Sequence, residues 1–157
     1  SFFEHKAVYI SRDWFPDFAN YRRDGYDFDA RYDEGLAKHT DKVLYDLLDS
    51  HAPVISKELK QLGDYRKGGN KGFDTSITRL QEQCYVITSN FIYMTDKHGQ
   101  HYGWGVAEYS TPEKFMGAAF TDKVYQREPE ESYQLIFEHL RKVLPHASDE
   151  QIKKILK

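Results

Sequence analysis

Residues 53–110 read PVISKELKQLG (53–63), a basic loop DYRKGGNKG (64–72), then Phe73 and DTSITRLQEQ (74–83), and, after Cys84, YVITSNFIYMT (85–95), DKHGQ (96–100) and HYGWGVAEYS (101–110). The first segment spaces Val54, Ile55, Leu59 and Leu62 for one helical face, with Ser56 as an internal cap and Gly63 as the stop. Gly68, Gly69 and Gly72 predict a flexible loop. Asp74 is the expected N-cap of a second helix that buries Ile77, Leu80 and Cys84. Val86, Ile87, Phe91, Ile92 and Met94 populate a strand with Ser89-Asn90 as a bulge or an irregular start, and Gly99 suits the turn that follows. In the returning strand Tyr102, Trp104, Val106 and Glu108 alternate with Gly103, Gly105, Ala107 and Tyr109, so its small-residue face predicts a close approach by another element. Helix, turn, helix, strand, turn, strand is the order of a winged helix-turn-helix, whose second helix enters a DNA groove beside the strand turn.

Outward from this stretch, Leu36, Val43, Leu44, Leu47 and Leu48 place a helix over 33–51, ended by Pro53. Upstream, residues 12–23 read as a helix within a segment rich in Phe and Tyr, whose rings are expected to pack on the following domain rather than stack on bases. Downstream, Thr111-Pro112 opens a short helix, 117–127 reads as a linker, and 128–144 is amphipathic through Tyr133, Ile136, Phe137, Leu140 and Leu144. Ser148 caps a last helix with Ile152, Ile155 and Leu156 inward. The expected fold is therefore α+β. It comprises an N-terminal aromatic segment (1–32), a winged helix (33–110) and a helical extension (111–157) that also suits the start of a second such unit. Leu44, Leu47, Leu59, Ile77, Leu80 and Trp104 are the expected core.

The chain of 157 residues has 39% hydrophobic and 30% charged residues, a soluble globular balance, and no apolar run long enough to span a bilayer. Its opening SFFEHKAVYI lacks a signal-peptide layout, and the missing initiator Met suggests a piece of something longer. One cysteine excludes an internal disulfide and a cysteine-based zinc cluster, and the expected compartment is the cytoplasm. Net charge is −3, yet residues 56–80 hold six basic residues against three acidic ones. Such a local patch on an acidic body suits double-stranded DNA as a partner.

The expected DNA-binding residues are Arg66, Lys67 and Lys71 on the loop, Thr75, Ser76 and Arg79 on the outward early turns of the second helix, and Lys97 and His98 at the wing tip. The glycine-rich loop lacks the G-x-x-x-x-G-K-[ST] order and a preceding strand, so it is not read as a phosphate loop. His98 and His101 fall on a turn without a carboxylate partner and are not read as a metal site. No cofactor, metal or catalytic residue is assigned, and nothing in the sequence sets the oligomeric state. Two other readings compete: a transcription regulator with the same motif, and a protein-interaction winged helix, for which the acidic balance argues.

The opening F-F-E-H-K-A-x-x-I-S, Trp14-Phe15-Pro16 and the 53–110 stretch resemble a bacterial family of tandem winged-helix DNA glycosylases, which remove alkylated purines and unhook interstrand cross-links. Phe3, Glu4, His5, Ala7 and Ile10 match the segment ahead of that family's middle winged helix. Gly69, Gly72 and Phe73 match its loop-to-helix junction, and 128–156 matches the helix pair of its next unit. Ser11 replaces the family's proline. The resemblance implies a central portion of such a protein, gripping duplex DNA by its backbone. The family's Q-x-Q catalytic pair lies in an earlier unit, so this chain alone is expected to be inactive. Gln81-Glu82-Gln83 repeats the spacing, but on the presumed recognition helix.

Overall fold

A computed structural model describes residues 8–157; Phe2, Phe3, Glu4, His5 and Ala7, which carry part of the sequence argument, lie outside the described residues. The fold is α+β, with a three-stranded antiparallel sheet among helices. Helix α1 (Phe15–Arg23) starts later than expected, because Ser11 to Trp14 form a turn and Pro16 sits in the first helical turn. Its last turn is closed by Asp24 in the left-handed region. Helix α2 (Phe28–Asp33) was not foreseen; Asp27 caps it, its carboxylate accepting from the Ala30 N–H at 2.8 Å. Gly35, at φ 73°, then interrupts the chain, so α3 (His39–His51) is shorter than the 33–51 pattern suggested.

Strand β1 (Val54–Ile55) and helix α4 (Ser56–Leu62) follow, with Ile55 rather than Ser56 at the cap position. After the basic loop come α5 (Phe73–Glu82), β2 (Ile87–Thr95) and β3 (His101–Ser110). The sheet order is β1-β3-β2, with Tyr109 of β3 paired to both Val54 and Thr88. The expected bulge is present between Thr88 and Asn90, and Ser89 donates to the Glu108 backbone and carboxylate from it. A second irregularity lies between Ile92 and Met94, where Gly103 on the facing strand has φ 72°. The small face of β3 is approached by its own hairpin partner: a Cβ on Gly105 would lie 3.1 Å from the Phe91 Cβ and 3.3 Å from the Tyr93 ring.

The chain then forms α6 (Pro112–Met116), α7 (Ala118–Thr121), α8 (Pro129–Val143) and α9 (Asp149–Leu156). Residues 117–127 are not the linker that their sequence suggests but contribute Phe120 and Val124 to the interior. Reciprocal capping boxes, Glu128 with Glu131 and Ser148 with Gln151, start the last two helices.

Apolar side chains gather in two clusters. One surrounds Leu44, Leu48, Leu59, Ile77 and Leu80 between α3, α4, α5 and the sheet base. The other joins Phe15 and Phe18 of α1 to Phe120, Ile136, Phe137 and Ile152. Leu36, Val43, Leu62, Leu144 and Ile155, expected inward, are exposed, and Leu47 and Tyr133 are only half-buried. Leu36 falls in the loop before α3, and the others lie at the margins of stripes whose central residues already fill the available space. Trp104 departs most: it is 94% exposed, because the outer half of the hairpin extends past the last element able to cover it.

Arg23 ties the two clusters together. It is fully buried, donates to Glu113 Oε1 at 2.6 Å, to the Tyr125 hydroxyl at 2.9 Å and to the Cys84 carbonyl at 2.8 Å, and lies between the Tyr85 and Phe120 rings. Burial works against its charge, but the Glu113 carboxylate outweighs that cost and holds the guanidinium protonated well above its ordinary range.

Candidate nucleic-acid interface

The Gly-rich loop is a hydrogen-bonded knot, contrary to its expected flexibility. The Asp64 carbonyl accepts from the Arg66 N–H at 3.0 Å and the Asn70 N–H at 2.8 Å, while the Asn70 side chain donates to the Gly63 carbonyl at 2.9 Å. Gly69 is required by close approach, since a Cβ there would fall 2.1 Å from the Asp64 carbonyl oxygen. The knot displays its cations outward. Lys67 and Lys71 are exposed, and Arg66 is exposed beside Asp64, Nε to Oδ1 2.5 Å.

Helix α5 begins one residue earlier than expected, at Phe73, with Gly72 at φ 86° before it. Phe73 is drawn inward against Tyr65, ring centroids 5.2 Å apart, which moves the helix start ahead of Asp74. Asp74 therefore sits in the first turn instead of capping it, and pairs with Lys60 at 3.1 Å. Thr75 is exposed, as expected. Ser76 is not: it is buried, because α5 also turns this position toward the core with Phe73, Ile77 and Leu80. Arg79 Nη1 donates to both carboxylate oxygens of Asp41 on α3, at 2.7 and 3.0 Å, and Asp41 is itself buried, so this ion pair anchors α5 to α3. Asp41 was missed in the sequence because the two residues are distant in the chain and share no periodic signal.

At the hairpin tip Lys97 and His98 are exposed, as expected of a wing. The Asp96 carboxylate shapes the turn by accepting from the His98 and Gln100 N–H groups at 2.8 and 3.0 Å. Gln81 and Gln83 diverge in role. Gln81 donates through Nε2 to the Thr88 hydroxyl at 3.1 Å, whereas Gln83 occupies the C-cap position of α5. Among the described residues no group of three His, Cys, Asp or Glu side chains is placed to hold a metal ion, and no helix is long and apolar enough to cross a membrane. Burial pushes the Cys84 thiol up to about 12, which makes it a packing residue rather than a nucleophile.

These elements define an α+β protein with a structured cationic loop, a helix behind it and a hairpin carrying a further lysine. The chain belongs to the AlkZ-related family, whose model matches residues 1–157. That membership relates it to DNA-repair glycosylases, as the opening segment and the loop-to-helix junction implied. No curated protein and no solved structure matches it.

Proposed function

We propose that residues 33–110 form a winged helix-turn-helix that holds double-stranded DNA by its backbone within a DNA-repair, glycosylase-like protein of the cytoplasm. The order α3-β1-α4-α5-β2-β3 with a β1-β3-β2 sheet supports the winged-helix reading. The observation that carries the DNA reading is the knot of 64–72, which presents Arg66, Lys67 and Lys71 from a fixed backbone directly before α5. A fixed loop loses less entropy on meeting phosphates than a flexible one. Thr75 continues this surface on α5, and Lys97 and His98 extend it at the wing tip. Arg79 acts mainly through Asp41, as a brace for the helix, and Ser76 through packing. The N-terminal segment and 111–157 act as the support against which this module is held.

The test is duplex binding across a salt series. Each Lys or Arg that neutralises a phosphate adds about one unit to the slope of log affinity against log salt, so replacing Arg66, Lys67 and Lys71 with Ala should flatten it by up to about three units. The melting temperature should stay nearly unchanged, because these side chains supply little core. Parental affinity and slope in the triple variant would remove this face from the DNA surface and bring the protein-interaction reading forward. Binding confined to one palindromic sequence would bring the regulator reading forward.

A further inference from the structure

A cavity of about 330 Å³ lies between the residues preceding α1, the end of α5, β2 and α6, away from the basic knot. This volume falls at the lower end of the roughly 300–1,000 Å³ typical of small-ligand pockets. Its walls include the rings of Phe15, Phe91 and Phe115, with Gln81, Thr88 and Arg12 as its polar members. Phe91 and Phe115 are each about half exposed, and such ring walls favour a flat aromatic ligand, which stacks on them. The polar groups set that ligand's edge. Because Gln81 Nε2 donates to Thr88 Oγ1 at 3.1 Å, the Gln81 amide oxygen remains as an acceptor and the Thr88 hydroxyl hydrogen as a donor, side by side. Arg12 is exposed, with its guanidinium 5.8 Å from the Phe115 ring centroid, and makes no ion pair among the described residues.

We infer that this cavity binds an unpaired nucleobase with adjacent donor and acceptor groups, as on adenine, while Arg12 meets the attached phosphate. The inference rests on the DNA reading above and deepens it by naming what the protein reads besides the backbone. An apolar peptide side chain fits less well, because it would cover the Gln81 amide, the Thr88 hydroxyl and the Arg12 guanidinium without pairing any of them. A nucleotide pairs all three. The consequence is a preference for duplexes that contain an unpaired base, which costs little to move out of the stack.

Two probes test this on the full chain. Adenosine monophosphate alone, followed by NMR, should shift the Gln81 side-chain amide and the Thr88 methyl signals and spare those of Lys67 and Lys71. A duplex with one unpaired 2-aminopurine should bind at least about fivefold tighter than its fully paired counterpart, the lower end for one stacked base, with its emission quenched. Gln81→Ala and, separately, Phe91→Leu should abolish that preference and leave paired-duplex affinity within about twofold. Should either variant fail to fold, the parent's NMR shifts decide. Unmoved Gln81 and Thr88 signals, or a bulge preference that survives both variants, would overturn the inference even if paired duplex is bound. Entry of the nucleotide without binding of any duplex would uphold the cavity and bring down the backbone reading instead.

Discussion

Arg23 lies fully buried between the two apolar clusters with three hydrogen-bond partners and two rings around it, whereas Lys67 and Lys71 stand in solvent on the 64–72 knot. The difference separates cations that hold the fold from cations free to meet a ligand. Arg23 can be buried only because Glu113, Tyr125 and the Cys84 carbonyl replace the water it loses. The loop lysines keep their water, make no ion pair among the described residues, and are positioned by the backbone beneath them. Arg79 falls between these cases: it lies on the helix behind the loop, yet buried Asp41 claims its guanidinium. Position in a motif alone would assign Arg79 to DNA; its partner shows that it also braces the fold.

Breaking the buried side of this comparison should have the largest effect. Arg23→Met removes the cation and leaves the Glu113 carboxylate facing the seam, so unfolding by denaturant should show a loss of about 3–5 kcal/mol. Adding Glu113→Gln should restore part of it, since the stranded charge is then gone. A single variant within 1 kcal/mol of the parent, a small change on the usual scale of point substitutions, would mean that the two clusters hold together without the Arg23 bridge. Next comes Leu80→Ala on the inner face of α5, where the side chain is fully buried, with a cost of about 2–5 kcal/mol. A loss below about half a kilocalorie would contradict the packing of α5, since only surface changes are that mild.

The central elements were legible because their signals are local. Turn chemistry placed the hairpin at Gly99, the bulge was marked by Ser89-Asn90, and Pro112, Pro129 and Ser148 marked helix starts. What was not legible depends on residues far apart in sequence. Helix α2 is too short for a periodic pattern, and Phe120 looked like linker because its partners Phe15 and Ile136 come from α1 and α8. The candidate interface was legible as composition but not as conformation. Glycines in the loop suggested freedom, whereas Gly69 is there to let the chain pass close to Asp64. The cavity joins four separate segments, and no spacing along the chain announces it.

Gly69→Ala tests whether the order of the loop matters. The added methyl would meet the Asp64 carbonyl, so the knot must open, at about 1–3 kcal/mol, the usual range for forcing a methyl into a filled site. Duplex affinity should fall as well, although no charge has been removed, because Lys67 and Lys71 would then be displayed from a mobile backbone. Full affinity alongside lost stability would mean that the order of the loop contributes nothing to binding.

The smallest expected effect is at Trp104, the largest side chain left in solvent. Its pattern in the sequence points to the core because it shares a strand face with Val106. The second irregularity of the hairpin, with Gly103 in the left-handed region, lies at this point, and beyond it the strands leave the body of the protein. Trp104 therefore buries almost nothing, and Trp104→Ser should change stability by no more than about 0.5 kcal/mol, as other exposed positions do. Leu80→Ala and Trp104→Ser thus test opposite ends of one motif, the first fully buried and the second fully open. If Trp104→Ser costs as much as Leu80→Ala, the ring is covered in the folded protein, either by a second copy or by a hairpin bent back on its base. A concentration-dependent melting temperature would distinguish the copy, since only an intermolecular contact responds to dilution.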